Sequence, residues 1–158
     1  MSHRDDVAAA IAFFATCDDI VLLHRLSADI ARRVKPMVRQ MIARGGEEAI
    51  PPPAEIEPAS APASAGQATA TLERTTDFAL LQALARAIGR RIEALEIVAS
   101  ASCPVGTRVS VPEHVAFPPP ARRLTGVVTA TGTNLRVTLD DGTTWEGPPS
   151  LASLEHAP

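Results

Sequence analysis

Aromatic side chains are scarce in this chain, and several other common ingredients are missing. There are four Phe, one Trp and no Tyr among 158 residues. Two Cys, at positions 17 and 103, are too few and too far apart for a disulfide scaffold. Neither has a second Cys or a His at metal-ligand spacing, so both are expected to be small buried or half-buried thiols. The nine Gly follow no period, which excludes a collagen-like chain, and 46% hydrophobic residues exclude wholesale disorder. No window reaches ~18 uninterrupted apolar residues, so no membrane span is expected. The first residues carry Asp5 and Asp6 and lack a signal peptide's continuous apolar run, which points to the cytoplasm.

Recognisable catalytic and cofactor motifs are absent too. Gly45-Gly46 is not followed by Lys and Ser or Thr, so no phosphate-cradling loop is formed. Neither H-E-x-x-H nor G-x-S-x-G occurs. The His residues stand at positions 3, 24, 114 and 156, with no pattern of Ser or Cys and acid around them that marks a triad. Glu113-His114 with Asp140 or Asp141 is a weak metal-ligand set, and Asp140-Asp141 reads better as turn chemistry. The expectation is a non-enzymatic protein with no metal and no cofactor.

The formal net charge is −3, but the charges are unevenly spread. Residues 1–44 carry seven basic and five acidic side chains, and residues 45–76 one basic and five acidic. Within residues 25–44 there are six basic residues and one Asp. That basic stretch lies on the clearest helical pattern in the chain, Asp19–Arg44. At 100° per residue, Leu23, Leu26, Ile30, Val34, Met37 and Met41 fall in a sector about 80° wide. Arg25, Arg32 and Arg39 fall on the opposite side. This stripe suits an acidic partner, or it is simply the solvated face of an amphipathic helix. Pro36 shares the polar side. It predicts either a kink or a break into two helices, because an interior Pro lacks a hydrogen-bond donor. Before it, Val7–Ala15 reads as a short helix, with Thr16 or Asp18 available to cap the next one.

Residues 46–76 change character. Pro51-Pro52-Pro53, Pro58 and Pro62 alternate with Ala, Ser and Glu, predicting a linker that is extended near the prolines and loose after Ser64. Glu47, Glu48, Glu55 and Glu57 within it could fold back on the Arg stripe. A second long helix is predicted from Phe78 to about Ala99, with caps offered by Thr75-Thr76-Asp77. Its apolar stripe, Phe78, Leu81, Leu84, Ile88, Ile92 and Leu95, must be covered by another element of the chain or by a second copy.

After Ser100 the period drops from 3.6 to 2. Val105–Val111, Leu124–Ala130, Leu135–Leu139 and Thr143–Glu146 read as strands, and residues 152–155 could add a fifth. Asp140-Asp141-Gly142 is a strong hairpin turn. A Pro-rich loop fills 112–123, including Pro118-Pro119-Pro120.

Val105-Gly106-Thr107-Arg108-Val109, Thr125-Gly126-Val127-Val128, Asp140-Asp141-Gly142-Thr143-Thr144-Trp145 and the closing Pro149-Ser150-Leu151 together resemble a small bacterial SH3-like barrel of the KOW/Tudor type. The resemblance covers about residues 105–155. It implies a small five-stranded closed barrel that binds RNA, proline-rich peptides or other subunits. The chain departs from the RNA-binding versions. Arg136 is the one basic residue left between the second and third strands, Glu146 follows the Trp, and no row of rings offers a stacking surface. A groove between the 112–123 loop and the last hairpin would be lined by Phe117, Pro118 and Trp145.

The expected architecture is therefore α+β: a helical region (1–45), a Pro/Ala-rich linker (46–76), a long amphipathic helix (77–100) and an SH3-like barrel (101–158). The expected role is protein–protein interaction, as a structural or accessory subunit of a larger bacterial or phage assembly or as a homo-oligomer. The alternative is a nucleic-acid-binding accessory protein using the basic helix 25–44. Its committed apolar residues argue against membrane-surface binding.

Overall fold

The computed structural model describes residues 2–155, which leaves His156 outside. It holds four α-helices and one five-stranded antiparallel sheet, in that order along the chain. Two compact units meet in sequence between Arg91 and Ile92.

The first unit is helical. Helix α1 (His3–Thr16) starts from a capping box in which Ser2 Oγ accepts from the Asp5 amide and the Asp5 carboxylate accepts from the Ser2 amide. The Ser2 amide first, then its hydroxyl, both donating to the carboxylate, hold the Asp5 carboxyl below its ordinary range. Helix α2 (Ile20–Gly45) runs through Pro36 without a break. The residue that caps it is Asp19, whose carboxylate accepts from the Leu22 amide, and neither Thr16 nor Asp18. Thr16 is still inside α1, and Asp18 is bonded to Arg91.

The Pro/Ala-rich segment is not loose past Ser64. Ser64 and Gln67 form a second capping box, and helix α3 (Ala65–Arg74) follows. Ahead of it, the extended stretch is pinned by backbone bonds. Ala54 donates to the Ala79 carbonyl, Ala59 to that of Ala8 and Ala63 to that of Ala9. Alanines at these positions let the strap lie close to the helices, which composition alone did not reveal. Arg33 reaches from α2 to the C-terminal end of α3, donating to the carbonyls of Leu72 (2.8 Å) and Thr75. It supplies donors where a helix end leaves its carbonyls unpaired.

Helix α4 (Phe78–Ala101) begins with Asp77 accepting from the Leu80 amide. Its Arg91 donates to the Cys17 carbonyl at 2.7 Å and pairs with Asp18 at 2.5 Å, fastening the α1–α2 turn. The interior of the unit is built from Val7, Ala10, Ile11 and Phe14 of α1, Leu23, Leu26 and Ile30 of α2, Ala68 and Leu72 of α3, and Phe78, Leu81, Leu84 and Ile88 of α4.

The second unit takes the last turns of α4 and the sheet. Strands β1 (Arg108–Pro112), β2 (Arg123–Ala130), β3 (Leu135–Leu139), β4 (Thr144–Gly147) and β5 (Ser153–Leu154) are ordered β4-β3-β2-β1-β5. Alternate residues point inward, so Val109, Val111, Val128, Leu135, Val137, Leu139 and Trp145 form one core with Cys103 and Leu151. Burial pushes the Cys103 thiol pKa up. Between β3 and β4 the Gly142 amide donates to the Leu139 carbonyl, and Gly142 takes the positive φ (86°) that the turn needs.

The sheet is not closed into a barrel as expected. Among the described residues its edge strands β4 and β5 do not pair with each other. Pro148 and Pro149 lack donors and start the 3₁₀ turn Pro149–Leu151, which leaves β5 only two residues long.

Candidate functional site

The basic face of α2 is the first candidate. Arg25, Arg32 and Arg39 are all exposed, as are Lys35 and Arg44. Arg32 is paired with Asp29 one turn earlier on the same helix. Arg33 is withdrawn from the face by its bonds to α3. Arg25, Lys35, Arg39 and Arg44 form no ion pair among the described residues. The acidic strap does not neutralise them. Glu55 and Glu57 instead border an open cleft with Ile11, Arg86 and Arg90.

The apolar stripe of α4 is the second candidate. Phe78, Leu81, Leu84 and Ile88 are buried within the chain, while Ile92 and Leu95 are half-buried. A different stripe on the last turns is bare. Ala94, Ile97, Val98 and Ala101 recur at i, i+3, i+4 and i+7 and are all exposed, Ile97 at 60% and Val98 at 68%. Val105 follows at 63%. The sequence carried this signal as a second apolar spacing on the same helix, overshadowed by the stronger one.

The third candidate is the groove of Phe117, Pro118 and Trp145. Trp145 is 5% exposed and belongs to the sheet core. Phe117 is half-buried against that core and Pro118 is exposed. Gly147 shows how closely the Pro-rich loop is seated. A Cβ there would stand 2.7 Å from both Trp145 Cη2 and Val115 Cγ2. The Trp145 indole N–H is buried without a hydrogen-bond partner among the described residues, an arrangement that costs about 1–3 kcal/mol. Phe117 and Trp145 are thus brought to one cluster without Pro118, and the Trp is a packing residue there rather than an open platform.

Several polar residues organise this unit, and of these the sequence did not single out Glu96 or Arg123. Glu96, 6% exposed, accepts from the Ser150 amide (2.7 Å) and hydroxyl (2.5 Å), tying the end of α4 to the 3₁₀ turn. Arg123 of β2 donates to Ser110 of β1 and to the Leu151 carbonyl. Arg108 makes a fork with both Asp140 oxygens (2.9 and 2.6 Å) and reaches Glu155 at 2.6 Å. Thr125 donates to the same carboxylate at 2.5 Å. Arg108 first, then Thr125, holds Asp140 down from 3.8 to about 2. Asp141 is lowered by the hydroxyl and amide of Thr143. Apart from Asp141 with Thr143, these pairs join residues far apart in sequence, so no local spacing announces them.

Among the described residues no three His, Cys, Asp or Glu side chains come together as a metal-holding group. No helix among them is long and apolar enough to cross a membrane. Comparison with known proteins found no matching family model, no similar curated protein and no similar solved structure.

Proposed function

We propose that this chain is a non-enzymatic protein–protein interaction subunit, a structural or accessory component of a larger assembly. The observation that carries the reading is the bare stripe Ala94, Ile97, Val98 and Ala101, followed by Val105. Large apolar groups grouped in this way mark association surfaces, because leaving them in water forgoes roughly 25 cal/mol for each Å² left uncovered. The resemblance of residues 105–155 to a small bacterial SH3-like barrel supports a role in docking other subunits. Five antiparallel strands with a long first loop and tight later hairpins are consistent with it. On this reading the assembly is cytoplasmic, bacterial or phage, and made with protein partners or with further copies of the chain.

The test is the pair Ile97→Glu/Val98→Glu. The purified wild-type chain is expected to form a larger species in sedimentation, or to leave its native host with protein partners at fixed stoichiometry that survive nuclease. The double variant is expected to stay folded and lose that association. A folded variant with association intact would refute the reading.

A second reading, a nucleic-acid-binding accessory protein, is favoured by one observation: Arg25, Lys35, Arg39 and Arg44 are exposed along α2 and form no ion pair among the described residues. It requires that affinity for duplex DNA or RNA fall steeply with salt and that Arg39→Glu weaken it. Salt-insensitive binding would remove it.

A further inference from the structure

The apolar stripe of α2 outlives the core it serves. Its buried residues end at Ile30, yet Val34, Met37, Val38, Met41 and Ile42 continue at i, i+3, i+4, i+7 and i+8. Val34, Met37, Val38 and Met41 are half-buried and Ile42 is 42% exposed. The 3₁₀ turn Glu47–Ala49, directly after the helix, packs against α2. Val38 and Ile42 turn away from the sector that holds Leu23, Leu26 and Ile30, toward Lys35 and Arg39. Arg44 stands on the other side of the stripe.

Between Ile30 and Gly45 there are five basic residues and no acid. Arg33 is spent on α3 and Arg32 on Asp29. Lys35, Arg39 and Arg44 remain exposed and without an ion pair among the described residues. The result is an apolar strip with free cations along both of its edges.

We propose that residues 34–44 of α2 dock an acidic amphipathic helix of a partner protein. Its apolar anchors would lie along Val38, Met41 and Ile42, and its carboxylates beside Lys35, Arg39 and Arg44. Charge complementarity decides the occupant. Phosphate backbones are held by cations alone and gain nothing from Val38 and Ile42 between them. A partner helix uses both, with anchors at i, i+3, i+4 and i+7 and charges at the rim fixing register. Met37 and Met41 suit such a contact, because unbranched thioethers adapt to a partner's shape. The proposal rests on the interaction reading above but concerns a different surface from that of α4.

The experiment uses the full chain and four probes. The first is a synthetic helical peptide with Leu at i, i+3, i+4 and i+7 and Glu at the flanking positions. The others are the same composition scrambled, a short DNA duplex, and vesicles of equal parts phosphatidylglycerol and phosphatidylcholine. The amphipathic peptide is expected to bind at least about tenfold tighter than the scrambled one, and Ile42→Ser is expected to remove about that factor while leaving all charges in place. Arg39→Glu should weaken the same peptide and make its binding less salt-sensitive. Ile97→Glu/Val98→Glu must bind it as the wild type does, which separates this surface from that of α4. Equal binding of the scrambled peptide would overturn the proposal. So would an Ile42→Ser variant that binds undiminished, tighter binding of the duplex or the vesicles, or no binding of the amphipathic peptide.

Discussion

The sheet unit and the helical unit convert sequence pattern into burial in different ways. In β3 the alternation Leu135-Arg136-Val137-Thr138-Leu139 maps residue for residue onto buried and exposed positions. In α2 the apolar spacing runs on to Met41 while burial stops at Ile30. In α4 a buried stripe ends near Ile88 and a second, bare one takes over at Ala94. The reason lies in where the backbone bonds go. A strand in the middle of a sheet is committed by register to both neighbours, so its inward face has nowhere else to point. A helix satisfies its own backbone and can carry an apolar face past the end of the core. The overrun is where this chain has surface left to offer.

The largest expected effect contrasts the two parts of α4. Leu84→Ala removes a fully buried side chain and should cost about 2–5 kcal/mol in denaturant unfolding followed by far-ultraviolet circular dichroism. Val98→Ala should stay within about 0.5 kcal/mol. A loss at Val98 as large as that at Leu84 would show that the last turns of α4 are covered, and the contrast would collapse.

The sheet offers a second, smaller test, read through Trp145 as the single Trp of the chain. Gly126 on β2 lies so close to β3 that a Cβ would stand 2.4 Å from the Thr138 carbonyl oxygen. Gly147 would meet the Trp145 ring and Val115 at 2.7 Å, groups that move more easily than backbone. Gly126→Ala should therefore destabilise more than Gly147→Ala, each by about 1–3 kcal/mol, while Gly147→Ala should shift the Trp emission more. If both were neutral, the sheet would be looser than its register implies.

The parts legible in advance were those written locally. Period 2 placed β3 at Leu135–Leu139 without error, and Asp-Gly placed the following turn. The 3.6 period placed α2 and α4 to within two residues. Bonds made over long sequence separations were not legible. Nothing in Pro51–Ala63 states that Ala59 and Ala63 will donate to the carbonyls of Ala8 and Ala9. The S-x-x-Q box at Ser64 was a readable start signal for α3, hidden by the proline content ahead of it. The closed barrel is what the resemblance of residues 105–155 implies, while Pro148-Pro149 shortens the strand that would have to close the sheet. Of the candidate site, the Arg face of α2 is exposed as read, and Trp145 packs in the core, the commoner place for a lone Trp in a small β domain.

A third prediction sharpens the helical side. Asp19→Ala removes the carboxylate that caps α2 and should cost about 1 kcal/mol. Thr16→Ala should cost much less, since its hydroxyl makes only a 3.5 Å contact to the Phe13 carbonyl within α1. Equal losses would mean that the α1–α2 turn can shift its cap.

The smallest expected effect belongs to the sheet and depends on pH. The Arg108 fork and the Thr125 hydroxyl hold Asp140 below its ordinary value of 3.8, at about 2. A carboxyl that is more acidic in the folded chain than in the unfolded one favours folding whenever it is ionised in both. Its contribution is therefore present above pH 4 and disappears as the pH falls from about 4 to about 2. In that window the unfolded chain takes up the proton first. Since Asp140 and Arg108 are both about half exposed, salt should shrink the effect. Asp140→Asn should lower the Trp145-detected stability at pH 7 and flatten its decline between pH 4 and 2. The helical unit, followed by circular dichroism, should show no matching change. An Asn variant with the same acid profile as the wild type would mean that the fork adds nothing to folding and that the sheet is held by its Val and Leu face alone.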